Sequence, residues 1–575
     1  MNLSESLKLI EVPDTTQVPN LESLDLKDCI NLCSIHPSIG IHKKLTILKL
    51  GGCKNLTSLP SPFEMDSLTE LYLAGCSKIT EVPNFGRNMK RVRLLDLRGL
   101  AITTLPTSIE HLTDLDWLEL SDCKNLVHLP DSIFNLKLVT EVFLNGCSKL
   151  DRLPENLGNA KSLENLDLRG CKGLSSNKSW YERLPFCSSP HPIDLLFSSL
   201  SLSRASSLTW LDLKDCNLKA IPNDIGSLFS LCWLDLGGND FVCLPESIIR
   251  LSNLNKMHLN NCTSLRSLPK LPLNIEFIEA EGCISLELLP DPLKPSDSLE
   301  PSLGLQNCFQ LADNQSCIDW FISGIKKYLK LSPSLPLSVL KESYNIVFPG
   351  REIPEWFSHQ NMGKEVKIKL PSHLCKNVGI AICVVCPTLD YSLTANEKEI
   401  SFESFPDAPV SADHLRLVYV TPQFFDEESN KLLWEGDVDG FSQIRIKIET
   451  GDFGVKVKKW GIRMIYNEDI EDLDRTMVQN SNNSITPYDG MDVVHHNFDL
   501  SSVVVECHQV KRSRDDYNGA GPSGEGSSND IPNPKKIKRH TEAHGNSDSE
   551  ESSEYEDCDE ELSDRDESND SNLDA

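Results

Sequence analysis

Few residues in this 575-residue chain stand at the spacing that metal binding or catalysis requires. Cys383 and Cys386 form a C-x-x-C pair, and paired thiolates can bind zinc, but no second pair follows at zinc-site spacing. The pair also lies inside an alternating apolar run, so we expect both thiols to belong to a core. His495 and His496 have no carboxylate or cysteine partners at motif spacing. We therefore expect no metal site, no cofactor and no enzymatic activity.

Many of the other cysteines stand at regular intervals that a sequence repeat sets. Nine of the twenty end the phrase L-x-x-L-x-L-x-x-C, as in residues 21–29. Exact and looser copies of the phrase end at residues 29, 53, 76, 100, 123, 147, 171, 216, 239, 262 and 283. Apart from one step of 45 residues, these steps of 21 to 24 residues are typical of a leucine-rich repeat solenoid, here with about twelve repeats. The placement predicts buried, unpaired thiols in a reducing compartment.

The residues between the leucines are the candidate binding residues. The L-x-x-L-x-L alternation predicts a strand with one buried side, and stacked repeats would place equivalent residues about 5 Å apart on a concave face. Exposed indoles are preferred binding hot spots, and neighbouring carboxylates repel each other, so we expect a basic, partly apolar protein partner. The alternative is that the rings pack on each other and the acids are solvated scaffold. The predicted contact residues are Tyr72, Trp117, Phe143, Trp210, Asp212, Trp233, Asp235 and Phe277.

Changes in pattern divide the chain into four segments. Residues 1–290 are expected to form the solenoid, which starts inside a repeat without a polar cap, so we expect a fragment. Residues 291–343 are expected to form a connecting segment between the solenoid and the next domain, and this segment should contain one amphipathic helix. Short alternating runs over 344–468, with an end at about 506 as the alternative, predict an all-β sandwich. The apolar face of the helix would carry Ile318, Phe321, Ile322, Ile325, Tyr328 and Leu329.

The last segment, 507–575, has few apolar residues and is expected to be a disordered acidic tail. Residues 545–575 hold fourteen acids and one arginine, a net of −13 out of −29 for the chain. This acidity argues against nucleic acid as the main partner. A basic cluster in the tail predicts nuclear import through an import receptor; its residues are Lys535, Lys536, Lys538 and Arg539. Without an apolar run of 18 residues or a signal peptide, we expect a location in the cytoplasm, the nucleus or both, and no membrane partner.

Three phrases together carry a resemblance to a known family. The first is the repeat, extended to L-x-x-L-x-L-x-x-C-x-x-L-x-x-L-P; the second is P-G-x-E-I-P-x-W-F at 349–357; the third is V-K-K-W-G-I-R-M-I-Y at 457–466. In this order they resemble the C-terminal part of plant TIR–NB–LRR intracellular immune receptors, over about residues 1–466. The resemblance implies an α/β leucine-rich repeat solenoid followed by a jelly-roll/Ig-like post-LRR domain. It also implies recognition of a pathogen effector or a guarded host protein in defence signalling.

Two activities of that family are not carried over to this chain. The family's TIR domain cleaves NAD and its NB domain binds nucleotide, but the sequence contains no G-x-x-x-x-G-K-[ST] loop and no βαβ unit before the repeats. An alternative function is a nuclear acidic leucine-rich interaction or scaffold protein that acts through its charged tail. A third, an F-box-type substrate receptor, would need adaptor helices before the repeats.

Overall fold

A computed structural model describes residues 1–154, 157–175, 207–292, 300–311, 314–331, 343–361, 365–371, 378–386, 391–395, 398–400, 413–422, 441–450, 457–466, 469, 473 and 504–507. The chain divides into two units, Met1–Lys511 and Arg512–Ala575, and all described residues lie in the first. The predictions for the tail, including Lys535, Lys536, Lys538 and Arg539, lie outside the described residues, as do those for His495 and His496.

Short strands at intervals of one repeat build the first part of the chain. They are β1 (Glu11–Val12), β2 (Ser23–Asp25), β3 (Ser34–Ile35), β4 (Ile47–Lys49), β5 (Glu70–Tyr72), β6 (Leu94–Asp96), β7 (Trp117–Glu119), β8 (Glu141–Phe143), β9 (Asn165–Asp167), β10 (Trp210–Asp212), β11 (Trp233–Asp235), β12 (Lys256–His258), β13 (Phe277–Glu279) and β14 (Ser302–Gly304). Single 3-10 turns follow many of them: Pro37–Ile41, Thr107–His111, Asp131–Asn135, Leu157–Asn159, Lys172–Ser175, Asn223–Ser227 and Glu246–Arg250.

The strands β2 and β4 to β14 form one parallel ladder in chain order. Leu24 pairs with Leu48, and Leu48 pairs with Leu71, so each repeat adds one strand to the ladder. The leucines of the phrase point to the same side and are buried, because alternate residues of a strand share a face. The ladder therefore has the leucine-rich repeat architecture that the sequence period predicted. At its first end, Asn2 pairs in parallel with Asp25.

Most of the phrase-ending cysteines are hydrogen-bonded to the preceding repeat. The thiol of Cys53 donates to the carbonyl oxygen of Leu26 at 3.2 Å, and that of Cys76 donates to Leu50 at 3.0 Å. Burial raises the pKa of Cys123 and of Cys216 to about 12, so these thiols stay protonated and can donate. The described phrase-ending cysteines are buried free thiols, which confirms their predicted burial.

The ladder extends further along the chain than the repeat pattern suggested. Strand β14 lies in the segment expected to be a connection, yet it pairs in parallel with β13. Cys308 follows it at the phrase-ending position and donates from its thiol to the carbonyl of Ala280 at 3.0 Å. The Pro-rich break near residue 290 hid this copy, because the ladder continues on the far side of the break.

One α-helix, α1 (Asn314–Leu331), follows the ladder as predicted. The six apolar residues assigned to its inner face are all buried. The helix also contributes a buried ion pair, because Lys327 Nζ lies 3.1 Å from a carboxylate oxygen of Glu300. The hydroxyl of Ser323 donates to that same oxygen at 3.0 Å. The helix is therefore tied to the segment before β14 by both apolar and polar contacts.

Two sheets follow the helix. Their strands are β15 (Ser343–Pro349), β16 (His359–Asn361), β17 (Glu365–Pro371), β18 (Val378–Cys386), β19 (Tyr391–Ala395), β20 (Lys398–Glu399), β21 (His414–Val420), β22 (Phe441–Thr450), β23 (Lys459–Tyr466) and β24 (Val504–Cys507). One sheet has the order β15-β21-β18-β23-β16, and the other has the order β20-β19-β22-β17-β24. Side chains from both sheets meet in one buried cluster that includes Ile368, Val384, Ile446 and Trp460.

The ladder and the first of these sheets are continuous. Strand β15 pairs in parallel with β14 on one side and antiparallel with β21 on the other. A buried histidine reinforces the junction, because the backbone N–H of Asn307 donates to Nε2 of His414 at 3.0 Å. The last repeat therefore presents no open sheet edge where β15 covers it, which is one way that proteins avoid unpaired strand edges.

Candidate protein-binding face

The side chains on the ladder opposite the leucine core form a surface that we call the ladder face. Two rows of residues cover it from β7 to β13. The first row, directly before the second leucine of each phrase, is Trp117, Glu141, Asn165, Trp210, Trp233, Lys256 and Phe277. The second row, directly before the third leucine, is Glu119, Phe143, Asp167, Asp212, Asp235, His258 and Glu279.

Aromatic rings contact each other along this face. Trp210 and Trp233 stack with centroids 4.6 Å apart and planes 8° apart. The ring of His258 lies 5.2 Å from Trp233 and 5.9 Å from Phe277, which continues the contact over four strands. A separate pair lies on β7 and β8, where Trp117 and Phe143 are 4.9 Å apart. The faces of the stacked indoles are thus occupied by each other, as the alternative interpretation of the tryptophans anticipated.

The predicted exposure of the acidic residues is largely wrong. Asp212 is 1 % exposed, and Asp167, Glu279 and Asp96 are also buried. The aspartates of the row share a backbone role, because their carboxylates accept the N–H two residues later. Asp212 accepts from Lys214 at 2.9 Å, and equivalent bonds are made by Asp25, Asp96, Asp167 and Asp235. This bond caps the end of each strand and draws the carboxylate towards the backbone, so the row is first of all a structural feature.

Arginines compensate part of the buried charge. The guanidinium of Arg169 binds Asp167 at 2.8 Å and reaches Asp212 at 3.2 Å, and Arg98 binds Asp96 at 2.9 Å. Burial still dominates at Asp212, whose pKa is raised to about 7, with Asp235 and Asp167 adding repulsion. Burial raises the pKa of Asp235 as well. The ladder face therefore carries less negative charge than its sequence suggests.

The remaining predicted residues differ in accessibility. Trp117 is the most open of them, with 39 % of its surface exposed, whereas Tyr72, Phe143, Trp210 and Trp233 are half-buried. Tyr72 is fixed at its hydroxyl, which donates to Glu70 at 3.0 Å. Phe277 is buried, contrary to its predicted exposure, and its ring contacts that of His258.

His258 is a residue of the ladder face that the sequence analysis missed. Its Nδ1 lies 2.8 Å from Glu279 Oε2, and the amide of Asn260 donates to the same oxygen at 2.7 Å. The ring fills the gap between Trp233 and Phe277. The signal was available, because His258 stands at the repeat position that aspartate occupies in the neighbouring phrase. A pattern of acids and large rings at that position does not include histidine.

The described residues offer no alternative site for metal chemistry. No group of three or more His, Cys, Asp or Glu side chains among them is placed to hold a metal ion. Cys383 is fully buried in β18, and burial raises its pKa. Strand β18 runs unbroken through position 386, and the prediction for the thiol of Cys386 lies outside the described side chains. In the same described part, no helix combines the length and hydrophobicity that a membrane crossing requires.

The second and third phrases of the family resemblance, about one hundred residues apart, meet in the fold. The guanidinium of Arg463 lies over the ring of Trp356, 4.8 Å from its centroid, and donates to the carbonyl of Trp356 at 3.0 Å. Ile353 and Phe357 are buried beside the same strand. The phrases therefore build one structural unit on β23, which accounts for their joint occurrence.

Comparison with known proteins agrees with this architecture. The C-JID domain matches residues 348–471, and the Leucine Rich Repeat matches residues 207–228. The chain is thus a leucine-rich repeat protein with a C-JID domain. A leucine-rich repeat protein of Leptospira interrogans is similar at a TM-score of 0.29 and 22% identity, covering 53% of this chain and 89% of that one.

The curated relatives define the family more narrowly. Disease resistance-like protein DSC1 of Arabidopsis thaliana is 35% identical over 410 residues, which is 69% of this chain and 33% of that protein. TMV resistance protein N of Nicotiana glutinosa is 32% identical over 401 residues, 67% of this chain and 34% of that protein. The chain corresponds to a C-terminal part of the plant TIR–NB–LRR disease-resistance proteins, which confirms the resemblance. It spans about a third of the length of the curated relatives it matches.

Proposed function

We propose that this chain is a non-catalytic recognition module of a plant disease-resistance protein. Its ladder face binds a protein, either a pathogen effector or a host protein that such an effector modifies, in defence signalling. Two kinds of observation support this proposal. The relatives are disease-resistance proteins, and the ladder face carries accessible indoles at Trp117, Trp210 and Trp233. Tryptophan is among the residues that contribute most to protein–protein affinity.

The stacked pair Trp210 and Trp233 is the observation that carries the proposal. A ladder needs only small polar residues at these positions, as Asn165 shows one strand away. Two large rings that remain half-exposed add apolar surface that folding does not bury. Such surface is typical of interaction sites. Asp212 and Phe277 are retained as part of the proposed site only as supports, because their side chains are buried.

The other parts of the chain complete the proposal. The two sheets after α1, with their shared core, are proposed to form the jelly-roll/Ig-like sandwich of about residues 344–468. The segment 507–575 is proposed to be a disordered acidic tail that carries the import cluster at Lys535, Lys536, Lys538 and Arg539. A location in the cytoplasm, the nucleus or both follows. A reporter fused to residues 505–575 should enter nuclei and should stay out when the four basic residues are neutralised.

Site-specific photocrosslinking of the full chain tests the recognition function. A benzophenone side chain is placed at position 117 or at position 233, and the chain is expressed in leaf tissue challenged with a pathogen. We expect a protein adduct at both positions. The matched control is the same probe at Phe229, an exposed aromatic residue of the solenoid outside the two rows. Adducts that form equally at position 229, or that disappear only when residues 540–575 are removed, would favour the alternative of a tail-dependent nuclear scaffold.

A further inference from the structure

The spacing of the aromatic rings on the ladder face suggests the conformation of the partner. Trp117 lies in register with Glu141, Glu141 with Asn165, and Asn165 with Trp210. Trp117 and Trp210 are therefore three ladder steps apart, which is about 14 Å at the usual separation of neighbouring strands. Each belongs to an aromatic pair, Trp117 with Phe143 and Trp210 with Trp233. The face thus offers two apolar contact points with a fixed separation.

The surface between these two points is polar. The amide of Asn165 donates to both carboxylate oxygens of Glu141, at 2.8 Å and 2.9 Å. Next to them, half of the surface of the Arg169 side chain is exposed above its bonds to Asp167. A ligand that crosses this region from one aromatic pair to the other therefore passes over hydrogen-bonding groups. Its middle part must be polar.

The indole nitrogens add a directional requirement. Among the described residues, the N–H groups of Trp117, Trp210 and Trp233 donate to no protein acceptor. Because Trp210 and Trp233 use their ring faces to stack on each other, the partner meets ring edges, which are the electropositive part of an aromatic ring. A cation gains little from ring edges, whereas a carbonyl oxygen is attracted to them and can accept from the N–H. The structure therefore favours an acceptor-rich ligand over the basic partner expected from the sequence.

An extended peptide meets all three conditions. Four residues of an extended chain span about 13 Å and return to the same face, so side chains at i and i+4 reach both aromatic pairs. An α-helix matches the separation less well. Its side chains that point in nearly the same direction recur after seven and eleven residues, at about 10.5 Å and about 16.5 Å, and the side chain eight residues on, at about 12 Å, is turned about 80° away. An extended backbone also exposes carbonyl oxygens that the three indoles can bind.

We propose that the ladder face from β7 to β11 binds an extended segment of the partner protein that has large apolar side chains at positions i and i+4 and a polar side chain at i+2. This inference rests on the proposed function, since it assumes that the ladder face is the recognition site. It specifies what that site selects, namely a short linear segment that runs across the strands.

A peptide display selection tests the proposal. Random twelve-residue peptides are selected on the full chain, and the enriched peptides are measured by fluorescence anisotropy. We expect enriched sequences to share two large apolar residues four apart and to tolerate proline at i+3, whose side chain points away from the ladder face in an extended chain. An α-helix does not tolerate proline in its interior. Affinity should fall at least tenfold for Trp117→Ala and for Trp210→Ala, as for hot-spot tryptophans. Trp210→Phe, which keeps an aromatic ring but removes the N–H, should lose about threefold, a typical hydrogen-bond contribution.

The controls separate this inference from the function on which it rests. Phe229→Ala should bind as the unmodified chain does, and thermal unfolding should show that each variant is folded. Peptides that need Trp117 and Trp210 but lose binding with proline at i+3, or whose two apolar residues lie seven or eleven positions apart, would overturn the extended conformation and leave the recognition face intact. Enriched peptides that are indifferent to both tryptophans would overturn the inference and count against the ladder face itself. An absence of enrichment would also reject a short linear ligand.

Discussion

Gly461 lies directly against Phe357, so that a Cβ atom at position 461 would come 3.0 Å from the Cβ of Phe357 and 2.8 Å from Cγ2 of Ile353. These residues belong to the two C-terminal phrases that mark the family, and the contact explains why one of them contains glycine. The strand β23 must approach the loop that follows β15 so closely that no side chain fits between them.

Substitution of this glycine should therefore destabilise the C-terminal sheets. We expect Gly461→Ala to cost about 1–3 kcal/mol of unfolding free energy, as is usual for added volume in a packed core. Gly51→Ala is the matched control, because its nearest contact would be an ordinary 3.5 Å and should cost little. Urea unfolding followed by the fluorescence of the tryptophans measures both. Equal stability of the two variants would mean that the loop yields without strain.

The second prediction concerns Asn239, which stands at the phrase-ending position where most other repeats have cysteine. Its amide donates to the carbonyls of Leu213 and Leu236, and its oxygen accepts from the N–H of Leu218. Asn239→Ala leaves the N–H of Leu218 and the carbonyl of Leu213 without this partner, whereas the carbonyl of Leu236 keeps the thiol of Cys262, and the change should cost about 3 kcal/mol. Asn239→Cys should cost less, because a thiol at this position can donate to Leu213 as the other cysteines do to their neighbours. Asn125→Ala, at an exposed lysine contact, serves as the control in denaturant unfolding. If the alanine and cysteine variants lost similar amounts of unfolding free energy, a thiol could not replace the amide at this position.

The third prediction follows from the raised pKa of Asp212. Burial raises it from 3.8 to about 7, so between these values the folded protein holds a proton that the unfolded chain has released. This group therefore lowers stability as the pH rises from about 4 to about 7. Asp212→Asn keeps an acceptor for the N–H of Lys214 and should remove that slope.

Chemical unfolding at several pH values measures the effect as a difference between the variant and the unmodified chain. The unfolding free energy of the variant minus that of the unmodified chain should rise steadily over this pH range and should stay constant above it. Asp224→Asn, at an exposed position, should show no such trend. A variant that runs parallel to the unmodified chain at every pH would show that Asp212 is charged throughout.

The fourth prediction concerns the stacked indoles. A double-mutant cycle with Trp210→Ala and Trp233→Ala should give a coupling energy of about 1 kcal/mol, as is typical for aromatic pairs. The same cycle for Trp117 and Trp210 should give none, because three ladder steps separate them. Unfolding free energies of the single and double variants provide the measurement. Additive effects for the neighbouring pair would mean that the rings contribute through burial alone.

The repeated phrase by itself determined most of the first half of the fold. A period of 21 to 24 residues permits one strand and one return per repeat, so the parallel register of Trp210 with Trp233 and the burial of Cys123 followed directly. The helix α1 was also predictable, because its apolar residues recur at helical spacing. These features depend on the local pattern of apolar residues, and that pattern can be read directly from the sequence.

The tertiary structure decided what the ladder face presents. Sequence position placed Asp212 and Phe277 among the residues predicted to be exposed. Only the folded neighbourhood showed that both are buried, the first bonded to a backbone N–H and to Arg169 and the second against the ring of His258. The same holds for His258, which matters through its contacts with Trp233 and Glu279, and for β14, which continues the ladder beyond a Pro-rich break. The exposure of a side chain and the pairing of a strand depend on residues that are distant in the chain. No local spacing of residues therefore determines them.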